Sequence, residues 1–133
     1  MHEYPLENRF AFPSNDAAGA GASINLAPIR DGYVFHVLGD ANSNEVDLKQ
    51  AIAKIAPELG TDLRSPSPNQ WFWVGGVDVS NTRLAEIQAA LPEQFVLADQ
   101  THGRLRMVLS GASSRSVLAK GTMVDLSPEM FAI

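Results

Sequence analysis

A strand, a tight turn and a short helix are predicted by residues 100–126, QTHGRLRMVLSGASSRSVLAKGTMVDL. Within this stretch, residues 104–109 alternate between basic and apolar side chains. A period of two places side chains on opposite faces of a strand. Arg104 and Arg106 therefore share one face of the predicted strand, which water or a partner protein would cover.

The helix that follows is predicted from its end signals. Gly111 ends the strand, and Ser113 or Ser114 is a good N-cap for a helix through Lys120. Gly121 is placed as the C-terminal cap because glycine adopts a left-handed conformation freely. The exposed backbone N–H groups at this helix start could instead hold an anion, but capping is the commoner use of such serines.

A second decisive stretch is the aromatic strand Gln70–Val74. Trp71 and Trp73 are two residues apart and so share a face, whereas Phe72 points the other way. Two interpretations are open for the tryptophans. They pack in the core of a strand covered on both sides, or they form a binding face, since tryptophan is enriched in interface hot spots.

The beginning of the chain suggests an arm followed by a hairpin. Residues 1–22 are rich in small residues and chain breakers, which predicts a flexible N-terminal arm. Ser23–Ile29 reads as an edge strand because it contains a proline. Asp31-Gly32 is a hairpin turn signal, and Tyr33–Leu38 is almost continuously apolar. We therefore expect the first two strands to pair.

The remaining segments complete the predicted order β-β-α-β-α-β-β-α. A helix from the Asn42–Asn44 caps to about Ala56 carries an apolar stripe, and a second helix follows Ser80 or Asn81. The polar segment at residues 61–69 is predicted to be a loop, and Phe95–Ala98 a short strand. Hairpins and helical crossovers in one chain indicate an α+β fold, with helices packed on a mixed sheet.

Composition narrows the possible classes of function. The chain has 133 residues, 45% of them hydrophobic, and a net charge of −5. It is long enough for one cored domain, and we predict a single domain over residues 23–133. The acidic balance argues against nucleic-acid binding, and the chain contains no cysteine and no apolar run long enough for a membrane span. We expect a cytoplasmic protein.

No catalytic constellation emerges from the sequence. His2 lies in the predicted arm, and His36 is interpreted as a core residue whose ring is hydrogen-bonded. His102 is interpreted as a turn residue. A metal site needs three or more convergent ligands, and no spacing brings the dispersed carboxylates together. We therefore assign no catalytic, cofactor-binding or metal-binding residue.

The stretch at residues 100–126 resembles the gamma subunit of heterotetrameric sarcosine oxidase. That family typically shows D-x-S-H-G-R-x-R, then L-S-G, then L-A-K-G and D-L. This chain matches at Leu118–Gly121 and Val124–Leu126, and its Asp99–Arg104 corresponds to the first element with Thr101 in place of the serine. Pro68–Trp71 looks like a family P-D-E-W element. The resemblance covers most of the chain from about Ile24 onward.

The chain also departs from the family pattern. The family's cysteine after K-G is Thr122 here, and its proline is Met123. Family members usually continue with several more strands after D-L, whereas this sequence ends at Ile133. The resemblance therefore implies a C-terminally shortened domain, similar in fold to the N-terminal part of the glycine cleavage T-protein, a folate-binding fold.

What the resemblance implies about function is an accessory role. In heterotetrameric sarcosine oxidase, FAD, FMN and NAD belong to partner subunits, and the gamma subunit docks on the alpha subunit, with beta and delta completing the complex. This chain would then support oxidative demethylation of sarcosine to glycine without a cofactor of its own. Trp71, Trp73, Arg104 and Arg106 are the residues we expect at the docking surface.

Two other classes of function stay open. The chain could be a stand-alone folate-binding or aminomethyltransferase-like protein, which would bind tetrahydrofolate without partners. It could also be an adaptor domain used outside sarcosine metabolism. The folate-contacting motifs of the T-protein lie beyond the matched segment, so folate binding is not carried over from the resemblance.

Overall fold

A computed structural model describes residues 23–127 of the chain. These residues form six strands, three α-helices and one 3-10 turn, with every strand pairing in this range antiparallel. The elements in chain order are β1 Asn25–Ile29, β2 Tyr33–Gly39, α1 Glu45–Ile55, the 3-10 turn Pro57–Leu59, β3 Leu63–Ser67, β4 Gln70–Gly75, α2 Asn81–Ala90, β5 Phe95–Asp99, β6 Arg106–Ser110 and α3 Ser114–Gly121.

The contacts divide the chain into two compact units. Unit 1 comprises Met1–Arg30 and Arg106–Ile133, and unit 2 comprises Asp31–Leu105. The predicted α+β class is confirmed, but the predicted mixed sheet is wrong, because the described strands form two antiparallel sheets. One domain over residues 23–133 stays a prediction, and the predicted arm at residues 1–22 lies outside the described residues.

Unit 2 is a four-stranded sheet in the order β3-β4-β2-β5 with helices on one face. Alternate residues of β2, β4 and β5 point to that face, where α1 contributes Leu48 and Ile52 and α2 contributes Ile87. The buried strand side chains of this face are Tyr33, Phe35, Val37, Trp71, Trp73, Phe95 and Leu97. All thirteen buried hydrophobic residues found in the described range belong to unit 2, so the core of that range lies there.

The segment predicted as a loop at residues 61–69 contains a strand. β3 pairs with β4 at the edge of the sheet, with an irregularity between Arg64 and Ser67. Pro66 lies in this irregular stretch and has no N–H to donate. Proline is tolerated at edges and bulges, which is why a proline-containing segment can form a strand here.

Unit 1 contains a two-stranded sheet, β1 with β6, followed by α3. The predicted hairpin of the first two strands is therefore wrong. Gly32 adopts a positive φ of 99°, as the turn signal requires. However, the turn leads from one sheet into another, and β1 pairs with a strand about 80 residues further along the chain.

The end of the last helix also differs from the prediction. Gly121 is the last residue of α3, and Thr122 is the C-cap. Ser113 is the N-cap residue, but its side chain makes no capping hydrogen bond. Instead, its backbone N–H donates to the carbonyl of Ser23 at 3.1 Å, which ties the helix start to the segment before β1.

Arg83 fastens α2 to the end of α1. Its guanidinium donates to the carbonyl oxygen of Ile55 at 2.8 Å, to Glu58 Oε1 at 2.7 Å and to Glu86 Oε2 at 3.0 Å. A hydrogen bond with its own backbone, together with the one from Arg83, lowers the pKa of Glu58 below its usual value. One side chain thus satisfies a carbonyl at the open end of α1 and forms ion pairs with two carboxylates.

The N-cap of α1 provides a first stability prediction. Asn44 Oδ1 accepts the N–H of Asp47 at 2.9 Å, and its Nδ2 donates to the Asp47 carboxylate at 2.8 Å. Asn44→Ala is expected to lower the free energy of unfolding by about 1 kcal/mol in urea titrations. Asn42→Ala is the matched control, because the bond from Asn42 to Asp40 uses a backbone N–H that alanine keeps. Equal unfolding midpoints for the two variants would contradict the capping role.

Candidate interaction surface

The face of the unit 2 sheet opposite the helices, called the second face here, carries a row of side chains across all four strands. Strand register places Arg64 of β3 opposite Phe72 of β4, Phe72 opposite His36 of β2, and His36 opposite Ala98 of β5. Directly opposite residues on one face of an antiparallel sheet are close enough to interact. The second face therefore has an aromatic centre with a basic side chain at one edge.

A cation covers the aromatic centre of this row. The guanidinium carbon of Arg104 lies 4.4 Å from the centroid of the Phe72 ring. This is within the range of cation–π attraction, which contributes about 0.5–1 kcal/mol at exposed sites. Arg104 is itself exposed, so its outer N–H donors remain available to an acidic group.

His36 completes the row through two contacts. Its ring stacks on Phe72 with centroids 4.8 Å apart, and its Nε2 lies 3.2 Å from Gln70 Oε1. An amide oxygen only accepts hydrogen bonds, so Nε2 carries the proton in this pairing. The predicted hydrogen-bonded histidine is confirmed, although its ring lies half-buried on the second face and not in the core under the helices.

Arg64 supplies a second fixed positive charge at the edge of the row. Its Nε and Nη2 donate to the two carboxylate oxygens of Asp62 at 3.3 and 3.2 Å. These hydrogen bonds and the negative charge of Asp62 raise the pKa of the guanidinium above its usual value. At the other end of the sheet, the register partners Leu38 and Val96 are 39% and 62% exposed. The second face is thus partly apolar and partly charged, which suits binding to a protein.

The two tryptophans lie on the opposite, helix-covered face. Trp73 is 0% exposed, and its Nε1–H donates to the carbonyl of Gly60 at 3.0 Å. Trp71 is 4% exposed and contacts the Phe95 ring edge-on at 6.1 Å. The core interpretation therefore describes both residues, and neither ring is accessible to a partner in this structure. A docking role for the two tryptophans stays a prediction. Because both rings are buried, they could influence docking only indirectly, by holding β4 in position.

The two arginines of the expected docking surface belong to different units. The predicted strand from residue 104 begins instead at Arg106, so Arg104 lies in unit 2, which ends at Leu105, and Arg106 is the first residue of β6 in unit 1. They do not share a strand face as the alternation predicted. His102 lies in the turn between β5 and β6, which confirms its interpretation as a turn residue.

Sequence reasoning missed Arg64 and Gln70 at the second face. Arg64 was assigned to a loop, and no local pattern predicts that residue 64 lies opposite residue 72. The pairing of Gln70 with His36 depends on the register of two strands 34 positions apart along the chain. The one sequence signal for the second face was the alternation of side chains along β4, which directs Phe72 away from the tryptophans.

A small-molecule or metal site is not evident within residues 23–127. No group of three or more metal-ligating side chains occurs in this range. A groove of about 400 Å³, open to solvent, is lined mainly by α1 and by the connection from α2 to β5, including Asp47, Gln50, Lys54 and Gln94. Pockets that bind small ligands enclose most of the ligand surface, so this groove is a weaker candidate for a binding site than the second face.

The architecture is that of an α+β protein built from antiparallel sheets and three helices. It is similar to a chain in the structure of heterotetrameric sarcosine oxidase from Corynebacterium sp. U-96 in complex with pyrrole 2-carboxylate. The TM-score is 0.65 at 18% sequence identity, and the match covers 86% of this chain and 64% of that chain. At this identity the likeness shows the fold alone.

Two other comparisons found no match. No protein-family model matches the chain, and no match was found among curated proteins. Within residues 23–127, none of the helices has the length and apolar character needed to cross a bilayer.

Proposed function

We propose that this chain is a non-catalytic accessory subunit of a sarcosine oxidase-type complex, with the role of the gamma subunit. The observation that carries the proposal is the fold similarity to a chain of a heterotetrameric sarcosine oxidase, at a TM-score of 0.65. The motif resemblance at residues 100–126 points to the same family independently. The chain spans 64% of the length of that structural neighbour, so the activity of the whole complex is part of the proposal.

In this role the chain binds a larger flavin-containing subunit and leaves the chemistry to it. FAD, FMN and NAD would be held by the alpha and beta subunits, which would oxidise sarcosine to glycine, and a delta subunit would complete the complex. Arg104 is proposed as a docking residue of unit 2 because cation–π contact orients its exposed guanidinium. Arg106 is proposed for unit 1, and Trp71 and Trp73 would act only by fixing the position of β4.

The test is co-expression with the alpha, beta and delta chains of a sarcosine oxidase from the same source. We expect the chain to elute from size exclusion in a large complex that absorbs as a flavoprotein. The double variant Arg104→Ala/Arg106→Ala should lower the yield of this complex, and Lys49→Ala, which removes an exposed lysine paired with Glu45 on α1, is the control. Elution of the wild-type chain alone, beside an active flavoprotein that lacks it, would disprove the accessory role.

That negative outcome would favour one of the other classes. Tetrahydrofolate titrated into the isolated chain would then be the next measurement, because a stand-alone folate-binding protein binds it without partners. If no folate binds either, an adaptor role outside sarcosine metabolism becomes the best explanation of the fold.

A further inference from the structure

Strand β5 lies at an edge of the four-stranded sheet, with β2 on one side and no strand of residues 23–127 on the other. The N–H of Gln100 donates to the carbonyl of Val34 at 2.9 Å, which makes these two residues a hydrogen-bonded pair of the ladder. Such pairs alternate along antiparallel strands. Phe95, Leu97 and Asp99 therefore direct their N–H and C=O groups away from β2, toward the open side of the strand.

Only part of this outward row is satisfied by the described chain. The N–H of Phe95 donates to the carbonyl of Pro92 at 2.9 Å, and the carbonyl of Leu97 accepts a hydrogen bond from Gln88 Nε2 at 3.1 Å. Within residues 23–127, no hydrogen bond engages the N–H of Leu97, the N–H of Asp99 or the carbonyl of Phe95. The edge therefore offers these groups to an extended chain, and the Leu97 oxygen keeps a second lone pair.

The two edges of the sheet differ in their protection against pairing. At the opposite edge, β3 contains Pro66, pairs irregularly with β4 and carries the ion pair of Arg64 with Asp62. Prolines, irregularities and charged side chains keep other strands from adding to a sheet edge. β5 has no proline and pairs regularly with β2, its only charge is Asp99 at the last position, and Val96 is 62% exposed. β5 is thus the edge that suits the addition of a strand.

The outward groups of β5 are complementary to those of a second β5. When two copies run antiparallel with Leu97 opposite Leu97, Phe95 lies opposite Asp99 and Val96 lies opposite Ala98. Each Leu97 N–H then donates to the Leu97 carbonyl of the other copy, and each Asp99 N–H donates to the Phe95 carbonyl, as in any antiparallel ladder. The N–H of Phe95 is not needed, and the two Asp99 carboxylates lie at opposite ends, so no like charges face each other.

We propose that two copies of this chain pair antiparallel through β5 and join their four-stranded sheets into one sheet of eight strands. The inference goes beyond the accessory function and does not depend on it. Backbone hydrogen bonds supply the affinity in such strand addition, and the side chains beside the new strand supply specificity. Val96 and its register partner Leu38, which is 39% exposed, provide an apolar strip on the second face along the junction.

Val96→Lys is the variant that tests this edge. A lysine on an edge strand disfavours pairing, and in the dimer the two new lysines would lie near each other on the same face. Val96 is exposed, and replacing exposed side chains seldom disturbs folding. The matched control is Val46→Lys, which changes a valine that is 63% exposed on α1. Circular dichroism and the melting temperature establish that each variant is folded.

The measurement is sedimentation velocity of the purified full chain over a range of protein concentrations. We expect the wild type to dimerise as its concentration rises, and Val96→Lys to raise the dimer dissociation constant at least about tenfold, because like charges across an interface are strongly unfavourable. Val46→Lys should dimerise like the wild type. Hydrogen exchange gives a second readout, since the amides of Leu97 and Asp99 should exchange more slowly in the dimer than in the monomer.

Three results would overturn the proposal in distinguishable ways. A wild-type chain that stays monomeric at every concentration would reject the dimer. A dimer with unchanged affinity in Val96→Lys, or with fast exchange at Leu97, would place the contact between copies elsewhere on the molecule. A chain that is monomeric alone, but whose Leu97 amide becomes protected when the flavoprotein is added, would assign the edge to a strand of the partner subunit.

Discussion

Trp73→Ala is expected to lower the free energy of unfolding by about 3–5 kcal/mol, the range for removing a buried aromatic side chain. The Trp73 ring is fully buried between the sheet and the helices and contacts Tyr33 and Phe35 edge-on, both at 5.6 Å between centroids. Alanine would leave a cavity at the centre of the unit 2 core. It would also leave the carbonyl of Gly60 without its indole donor.

Phe72→Ala is the control. Phe72 directly precedes Trp73 on β4, but its side chain points to the second face and is only half-buried. Its loss should cost clearly less, since water already reaches part of the ring. Urea unfolding followed by far-UV circular dichroism gives both free energies. Similar costs for the two variants would show that Trp73 is not the centre of the core, and the assignment of the two faces of β4 would be wrong.

Gly75→Ala is expected to destabilise the protein by about 1–3 kcal/mol through overpacking. A Cβ atom at Gly75 would lie 2.3 Å from Cε1 of Tyr33 and 2.6 Å from its hydroxyl oxygen. Tyr33 cannot easily move aside, because it is 1% exposed and its hydroxyl donates to the carbonyl of Leu59 at 2.7 Å. The end of β4 or the tyrosine ring must therefore shift.

The adjacent residue provides the control for this prediction. A Cβ at Gly76 would meet no atom within 4 Å, and Gly76 has no positive φ. Gly76→Ala should therefore change the urea midpoint little. A midpoint for Gly75→Ala equal to that of Gly76→Ala would refute the close approach of Tyr33 to β4.

Local patterns were sufficient for the elements of the core. The apolar residues of Tyr33–Leu38 and Gln70–Val74 predicted β2 and β4, and the capping residues before α1 and α2 predicted where those helices begin. These signals work because side-chain period and end-capping act over a few neighbouring residues. The strand β3 was missed because Pro66 is a breaker in local terms, and only its place at a sheet edge makes it acceptable.

The candidate surfaces were less predictable than the core. Arg104 and Arg106 were expected on one strand face because the sequence alternates there, but the strand begins at Arg106 and the two residues belong to different units. Arg64 and Gln70 meet Phe72 and His36 only through strand register. The concentration of exposed apolar side chains in the described part of unit 1 appears only once residues 23–30 and 106–127 are grouped.

By itself, the sequence determined the α+β class, most of the helices and strands, and the alternation that separates Trp71 and Trp73 from Phe72. Tertiary structure decided that β1 pairs with β6, that the sheets are antiparallel, and that both tryptophans are buried under the helices. The physical reason is the distance along the chain over which each kind of interaction acts. Periodicity and capping are set by neighbouring residues, whereas strand pairing and burial depend on contacts between residues far apart in the chain, and many alternative pairings are compatible with the same local pattern.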